Sequence, residues 1–325
     1  MTSLYVDRRG VSLKADGGAL VFYENGARVG TAPLAPLSRV FLRGDVTLSS
    51  SLLGKFGERG IGVIVLSGRK ADPTILLGRP HNDAARRVAQ YRLAQDSGFC
   101  LSFSRALVME KLQSQMAFLA GRRDEEPRSR HALTVALRSL AGIADALPAQ
   151  ETLASLRGAE GAAAAAYFQG FGALMPKRLG FERRNRRPPK DPVNAVLSLG
   201  YTLLHAEAVL ALYGAGLDPY IGFFHALDFG RESLACDVVE PLRVAVDQLV
   251  FKLFRSGDLR PEDFSQADGA CLLGKAGRCR FYAEWEAFAE DARKDLVKRV
   301  FGIVLRIGEK AALAEMVASG DCISV

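Results

Sequence analysis

Residues 20–30 read Leu20-Val-Phe-Tyr-Glu-Asn25-Gly26-Ala-Arg-Val-Gly30, two short β-prone runs on either side of Asn25-Gly26. Asn-Gly accepts the positive φ values that a two-residue hairpin demands. The stretch therefore predicts a tight β-hairpin, and its surroundings repeat the pattern. Leu4–Val6, Val11–Leu13, Ala19–Tyr23 and Arg39–Leu42 are β-prone, with Arg9-Gly10 and Asp16-Gly17-Gly18 between them. Thr47 or Ser49 can cap a short helix running through Glu58, and Gly60 would stop it. Ile61–Leu66 (IGVIVL) is continuous rather than alternating, as in a strand buried on both faces.

Beyond Ala84 the β signal fades and apolar residues recur at helical spacing. Helices are expected over Ala84–Arg122 (with a break near Ser97-Gly98), Ala132–Ala146, Glu151–Ala173, Val193–Tyr213, Leu234–Arg255 and Tyr282–Ala318. Asp191-Pro192 supplies an N-cap and a first-turn proline for the fourth of these. Gly68–Pro80, with two Pro and two Gly, carries the connection. The expected class is α+β: a small β-rich domain at 1–75, a linker at 76–83, and a larger all-α catalytic domain at 84–325.

The 325 residues are 49% hydrophobic and 24% charged, which excludes disorder, collagen and coiled coil as the main state. Five scattered cysteines (Cys100, Cys236, Cys271, Cys279, Cys322) include no C-x-x-C pair, so neither a disulfide framework nor a zinc ribbon is expected. The first ten residues hold no apolar signal core. His205, Glu207, Asp218 and Pro219 interrupt the most apolar stretches, so no bilayer span is expected and a cytoplasmic location is the default.

Lys plus Arg number 43 against 36 acids, a net charge of +7. Residues 1–80 hold 11 basic and 6 acidic side chains, so the helical part is almost balanced. One segment of it is not. Lys177, Arg178, Arg183, Arg184, Arg186, Arg187 and Lys190 are opposed only by Glu182 and run into Pro188-Pro189. That composition suits a phosphate-binding loop, because Arg binds phosphate bidentately; a solvated basic loop is the plain alternative. Phe181 could stack on a base or anchor the loop to a core.

Three segments place acids or a histidine among apolar residues. Glu160 lies in Arg157-Gly-Ala-Glu-Gly-Ala162, where small neighbours leave room for a ligand. His225 follows Gly222-Phe-Phe, and Asp237 and Glu240, spaced i and i+3, share one helix face with Arg243. Each has a bland reading: a surface Glu, a satisfied core His, a Glu240–Arg243 ion pair. Together, carboxylates and a neutral imidazole suit Mg²⁺ or Mn²⁺, which can stabilise charge at a phosphodiester. Spacing alone does not bring the three segments together.

At these residues the chain resembles the CRISPR-associated Cas1 endonuclease/integrase family of spacer acquisition. The resemblance rests on four motifs in order. The first is Thr47–Leu53 with the Ile61–Leu66 strand. The second is the Gln90–Lys111 helix followed by Arg157-Gly-Ala-Glu160…Tyr167-Phe168. The third runs from Arg184 through Pro188-Pro189, Asp191-Pro-Val-Asn194 and on to Leu204. The last is Gly222-Phe-Phe-His225 with Ser233-Leu-Ala-Cys-Asp237-Val-Val-Glu240-Pro-Leu-Arg243 and Asp247. Leu242 and Val244 depart from the Phe and Pro frequent in the family. The resemblance implies Glu160, His225 and Glu240 as catalytic ligands of Mn²⁺ or Mg²⁺, with Asp237 as a secondary candidate. It also implies a homodimer through the β domains, a Cas2 dimer as partner, and double-stranded or branched DNA as substrate. The expected activity is insertion of new spacers by 3′-hydroxyl transesterification. Read without it, a non-catalytic DNA-binding subunit or a hydrolase of small phosphorylated substrates stays open.

Overall fold

The computed structural model describes residues 2–66, 73–78, 81, 83–185 and 188–319, with side chains through 312. The chain divides into two compact units, Met1–His81 and Asn82–Val325.

The first unit contains β1 (Thr2–Asp7), β2 (Val11–Asp16), β3 (Ala19–Glu24), β4 (Ala27–Pro33), β5 (Leu37–Arg43), β6 (Val46–Leu48), α1 (Ser50–Glu58), β7 (Gly62–Val65) and β8 (Thr74–Leu76). Asn25 and Gly26 turn β3 into β4 with φ of 50° and 81°, so the expected hairpin forms for the expected reason. Ser49 caps α1 by accepting the Leu52 N–H at 3.3 Å. The strands form two four-stranded sheets, in the orders β1-β5-β7-β8 and β4-β3-β2-β6. Leu13 and Leu20 of one sheet meet Val40 and Val63 of the other, with Leu52 and Phe56 of α1 completing a common core. Within the expected connection, Thr74–Leu76 pairs antiparallel with β7 and is sheet rather than linker. Residues 67–72, 79, 80 and 82 of that connection lie outside the described residues.

The second unit holds α2 (Ala84–Gln95), α3 (Ser97–Arg123), α4 (Arg130–Ala146), α5 (Leu153–Leu174), α6 (Pro192–Gly214), α7 (Ser233–Val239), α8 (Arg243–Ser256), β9 (Phe264–Ala267), β10 (Ala270–Leu273) and α9 (Lys275–Ser319). Asp96 breaks the first long helical stretch and caps α3, accepting the Phe99 N–H at 2.9 Å. Asp191 caps α6 through the Asn194 N–H, also at 2.9 Å. The stretch expected as one helix over Leu234–Arg255 is two, joined by a 3-10 turn at Glu240–Leu242. Pro241 has no N–H to continue the ladder, so the helix changes pitch there. The domain also carries a two-stranded hairpin, β9–β10, turned by Asp268 and Gly269 at φ of 52° and 73°. A Cβ on Gly200 would lie 2.6 Å from Val246 Cγ1, so that glycine sets how closely α6 and α8 approach.

Two helices among the described residues, Arg130–Ala149 and Pro192–Gly214, meet the length and apolarity needed to cross a bilayer, as the core helix of a folded domain also does. In α6, 61% of the apolar window is buried inside the unit, as in a core helix. Its Glu207 is buried and paired with Arg293 at 2.9 Å. Cys100, Cys236, Cys271 and Cys279 are free thiols, and Cys322 lies outside the described residues.

Two residues before Glu207 on α6, His205 faces Glu232 with Nε2–Oε2 at 2.6 Å. Burial opposes its charge, but hydrogen bonds to Cys236 and Glu232 raise its pKa to about 9. The folded value lies above the unfolded one of about 6.5. The stabilisation is therefore complete below pH ~6.5 and lost as pH rises towards 9. Urea unfolding across this window is expected to show a decline of up to about 3 kcal/mol, and His205→Gln to flatten it.

Candidate active site

The site is assembled on α3, α5, the loop before α7, and the α7–α8 junction. Gly222 through His225 is held from three sides. Phe223 packs edge-on against Phe99 and Phe103 of α3, with ring centroids 5.1 and 5.0 Å away. Arg157 of α5 donates to the Phe224 carbonyl from Nε at 3.0 Å and Nη2 at 2.6 Å. Asp237 of α7 accepts the N–H groups of Phe223 (2.7 Å), Phe224 (3.0 Å) and His225 (3.0 Å). Gly222 is required here, because a Cβ would lie 2.7 Å from the Ser233 carbonyl carbon and 2.8 Å from Asp237 Oδ2.

Asp237 also faces the imidazole, with His225 Nδ1 2.7 Å from Oδ1. A carboxylate only accepts, so Nδ1 carries the proton and a neutral ring presents Nε2 as a donor of its lone pair. That Nε2 looks towards Glu240, 3.9 Å from its Oε1. Glu240 is buried at the 3-10 turn and bonded to Arg243 Nε at 2.9 Å and Lys111 Nζ at 2.5 Å. Burial opposes its charge, yet Arg243 and Lys111 hold its carboxyl well below the usual carboxylate range. Lys111 reaches across from α3 and also bonds Glu160 Oε1 of α5. Burial works against the lysine charge too, but Glu240 and Glu160 raise its pKa.

Glu160 and Glu240 thus meet through Lys111, and Glu240 lies beside His225, a juxtaposition that spacing could not establish. Among the described residues, no three His, Cys, Asp or Glu side chains are gathered at metal-ligand spacing. The donor chemistry nevertheless suits a divalent cation. Two carboxylates already share one cationic group, and a third carboxylate orients the imidazole in the manner common to metal-binding histidines. Gly158 and Gly161, flanking Glu160, face open space. Asp237 bonds His225 and the backbone before it through both oxygens, whereas Glu160 and Glu240 bond Lys111. The Glu240–Arg243 ion pair, one of the bland readings, coexists with the cluster.

The basic segment divides. Lys177, Arg178, Arg183 and Lys190 are exposed, whereas Arg186 and Arg187 lie outside the described residues. Arg184 turns inward, bonded to Asn194 Oδ1 at 2.7 Å and Ser198 Oγ at 3.0 Å. Its guanidinium lies 5.4 Å from the Tyr201 ring, and Arg243 lies 4.7 Å from the same ring. Tyr201 and Tyr167 both donate to buried Asp247. Burial raises the Asp247 carboxyl to about 6 even though both tyrosines act to lower it. Arg184 is therefore a strut between the loop and the cluster rather than a freely extended phosphate ligand. Phe181 packs against Phe168 and Phe171, 6.4 and 5.9 Å between ring centroids, and anchors the loop instead of offering a stacking face.

Sequence reasoning missed Lys111 and Arg157 as site residues. A lysine among buried Leu107, Val108, Leu112 and Gln115 of α3 was the available signal, since a buried Lys requires a partner.

The family model for CRISPR associated protein Cas1 matches residues 4–287. A CRISPR-associated endonuclease Cas1 from Thermodesulfovibrio yellowstonii is 40% identical over 316 residues, covering 95% of this chain and 98% of that protein. One from Thermus thermophilus is 34% identical, covering 87% and 83%. A CAS1 protein from Thermotoga maritima shares the fold with a TM-score of 0.84 at 22% identity, over 94% of this chain and 97% of that one. A casposase bound to integration product does so with a TM-score of 0.80 at 20% identity, over 95% and 91%.

Proposed function

Because the chain belongs to the CRISPR-associated Cas1 family, we propose that it is a metal-dependent DNA endonuclease and integrase that inserts new spacers into a repeat array. The single observation that carries the reading is the linked cluster in which Lys111 joins Glu160 to Glu240 and Glu240 lies 3.9 Å from His225, with Asp237 fixing the imidazole.

In this reading Glu160, His225 Nε2 and Glu240 hold Mn²⁺ or Mg²⁺. When bound there, such an ion would supply Lewis-acid polarisation of a phosphate and offset developing negative charge. The chain's own residues do the positioning. Asp237 keeps the Nδ1 proton in place, so Nε2 stays a lone-pair donor. Arg243 pins the Glu240 carboxylate, and Arg157 keeps the His225 loop seated on α5. Lys177, Arg178, Arg183 and Lys190 face solvent and supply phosphate contacts, with Arg186 and Arg187 belonging to the same run.

The reaction is a transesterification. The 3′-hydroxyl of the incoming strand gives its proton to solvent and its oxygen forms a new P–O bond while the old P–O bond breaks, and the departing 3′-oxygen takes up a proton from solvent to leave as a 3′-hydroxyl. Phosphodiesters are conserved in number, so no nucleotide triphosphate is consumed. The partners proposed are a second copy of the chain through the β-rich unit, a Cas2 dimer, and duplex or branched DNA. Two structural neighbours, a Cas6-RT-Cas1–Cas2 complex and a casposase bound to integration product, support this set.

The test is strand transfer on a branched DNA. Product is expected with Mn²⁺ or Mg²⁺ and none in chelator. Equal product in chelator would overturn the metal assignment, and no product under any ion would overturn the activity.

A further inference from the structure

Lys111 Nζ is buried between two of the three groups assigned to the cation, bonded to Glu160 Oε1 and, at 2.5 Å, to Glu240 Oε2. An ammonium and a divalent ion cannot share that space, because like charges so close repel strongly in a buried setting. The charges at the cluster also balance as they stand. Glu160 and Glu240 contribute two negative charges, and Lys111 and Arg243 two positive ones. The two cations are held differently. Arg243 is bonded to Glu240 and lies against the Tyr201 ring, whereas Lys111 touches the cluster only through the tip of a flexible four-carbon stem.

We propose that Lys111 is an exchangeable counter-cation of this site. Its ammonium neutralises Glu160 and Glu240 while no divalent ion is bound, and it withdraws from between them when one binds. The lysine thereby keeps a buried pair of carboxylates compatible with a folded site, and it lowers metal affinity by competing for the same oxygens. This inference rests on the proposed metal site and adds a regulatory element to it.

The test uses the full chain, with Mn²⁺ binding followed by electron paramagnetic resonance and unfolding followed by heating. Lys111→Met keeps the stem and removes the charge. It is expected to melt below the wild type in chelator, to bind Mn²⁺ about tenfold or more tightly, and to gain more in melting temperature from Mn²⁺ than the wild type does. Lys111→Met combined with Glu160→Gln removes one charge of each sign. It is expected to recover stability in chelator and to lose the tightened affinity. Unchanged or weakened Mn²⁺ binding by Lys111→Met, beside normal binding by the wild type, overturns the inference alone. Absence of Mn²⁺ binding by every variant, wild type included, overturns the metal site itself. If neither substituted chain folds, even with Mn²⁺ present, Lys111 serves something other than charge balance and the inference falls.

Discussion

Glu240→Gln is expected to cut metal-dependent strand transfer by roughly three orders of magnitude, with Glu160→Gln and His225→Ala close behind. Glu240 is ranked first because three groups converge on it. Arg243 Nε and Lys111 Nζ bond it directly, and His225 Nε2 lies 3.9 Å away. Glutamine preserves the shape but removes the charge, so it cannot match two cations and serve as an ionic ligand at once. Some stability should go as well, about 3 kcal/mol, because Lys111 and Arg243 lose a buried counter-charge. Activity is therefore to be measured at a temperature where circular dichroism shows the variant folded. Wild-type rates in Glu240→Gln under those conditions would mean that this cluster is not where the phosphodiester reacts.

Asp237→Ala is expected to be the most destabilising single change at the site, by about 3–5 kcal/mol in urea unfolding. The carboxylate is fully buried and satisfies three backbone N–H groups besides the imidazole Nδ1. Alanine leaves all of them without an acceptor and frees the ring to rotate. Gly222→Ala separates positioning from direct ligation. Its Cβ would press on the Ser233 backbone and on Asp237 Oδ2 without deleting any carboxylate. If Asp237 acts by seating the His225 loop, Gly222→Ala should lower strand transfer by about tenfold or more while Glu160 and Glu240 remain intact. Full activity in Gly222→Ala alongside a dead but folded Asp237→Asn would instead make Asp237 a ligand in its own right.

The features legible in the chain were those whose cause spans only a few residues. The β3–β4 turn needs positive φ at two adjacent positions, and Asn25-Gly26 meets that need at little cost. Ser49, Asp96 and Asp191 cap helices through N–H groups three residues on. The Asp268-Gly269 hairpin carried the same kind of signal and was overlooked amid helical neighbours. The catalytic candidates were legible only as a set and through the family resemblance, because a lone Glu among small residues, or a His after Gly-Phe-Phe, has an ordinary structural reading of its own.

Which groups those residues face was decided only by packing. Lys111 meets Glu160 and Glu240 across 49 and 129 residues of chain, a juxtaposition no local pattern encodes. Asp237 and Glu240 share a helix face by spacing, yet one turns back to hold the His225 loop and the other faces Lys111 and the imidazole Nε2. Arg184 reads as one more phosphate binder in a basic run, but Asn194, Ser198 and Tyr201 draw it inward. By itself, then, the sequence determined the two-part fold and the chemical types at the site. Tertiary structure decided which charges face each other, because the worth of a buried charge depends on partners that distant segments bring to it.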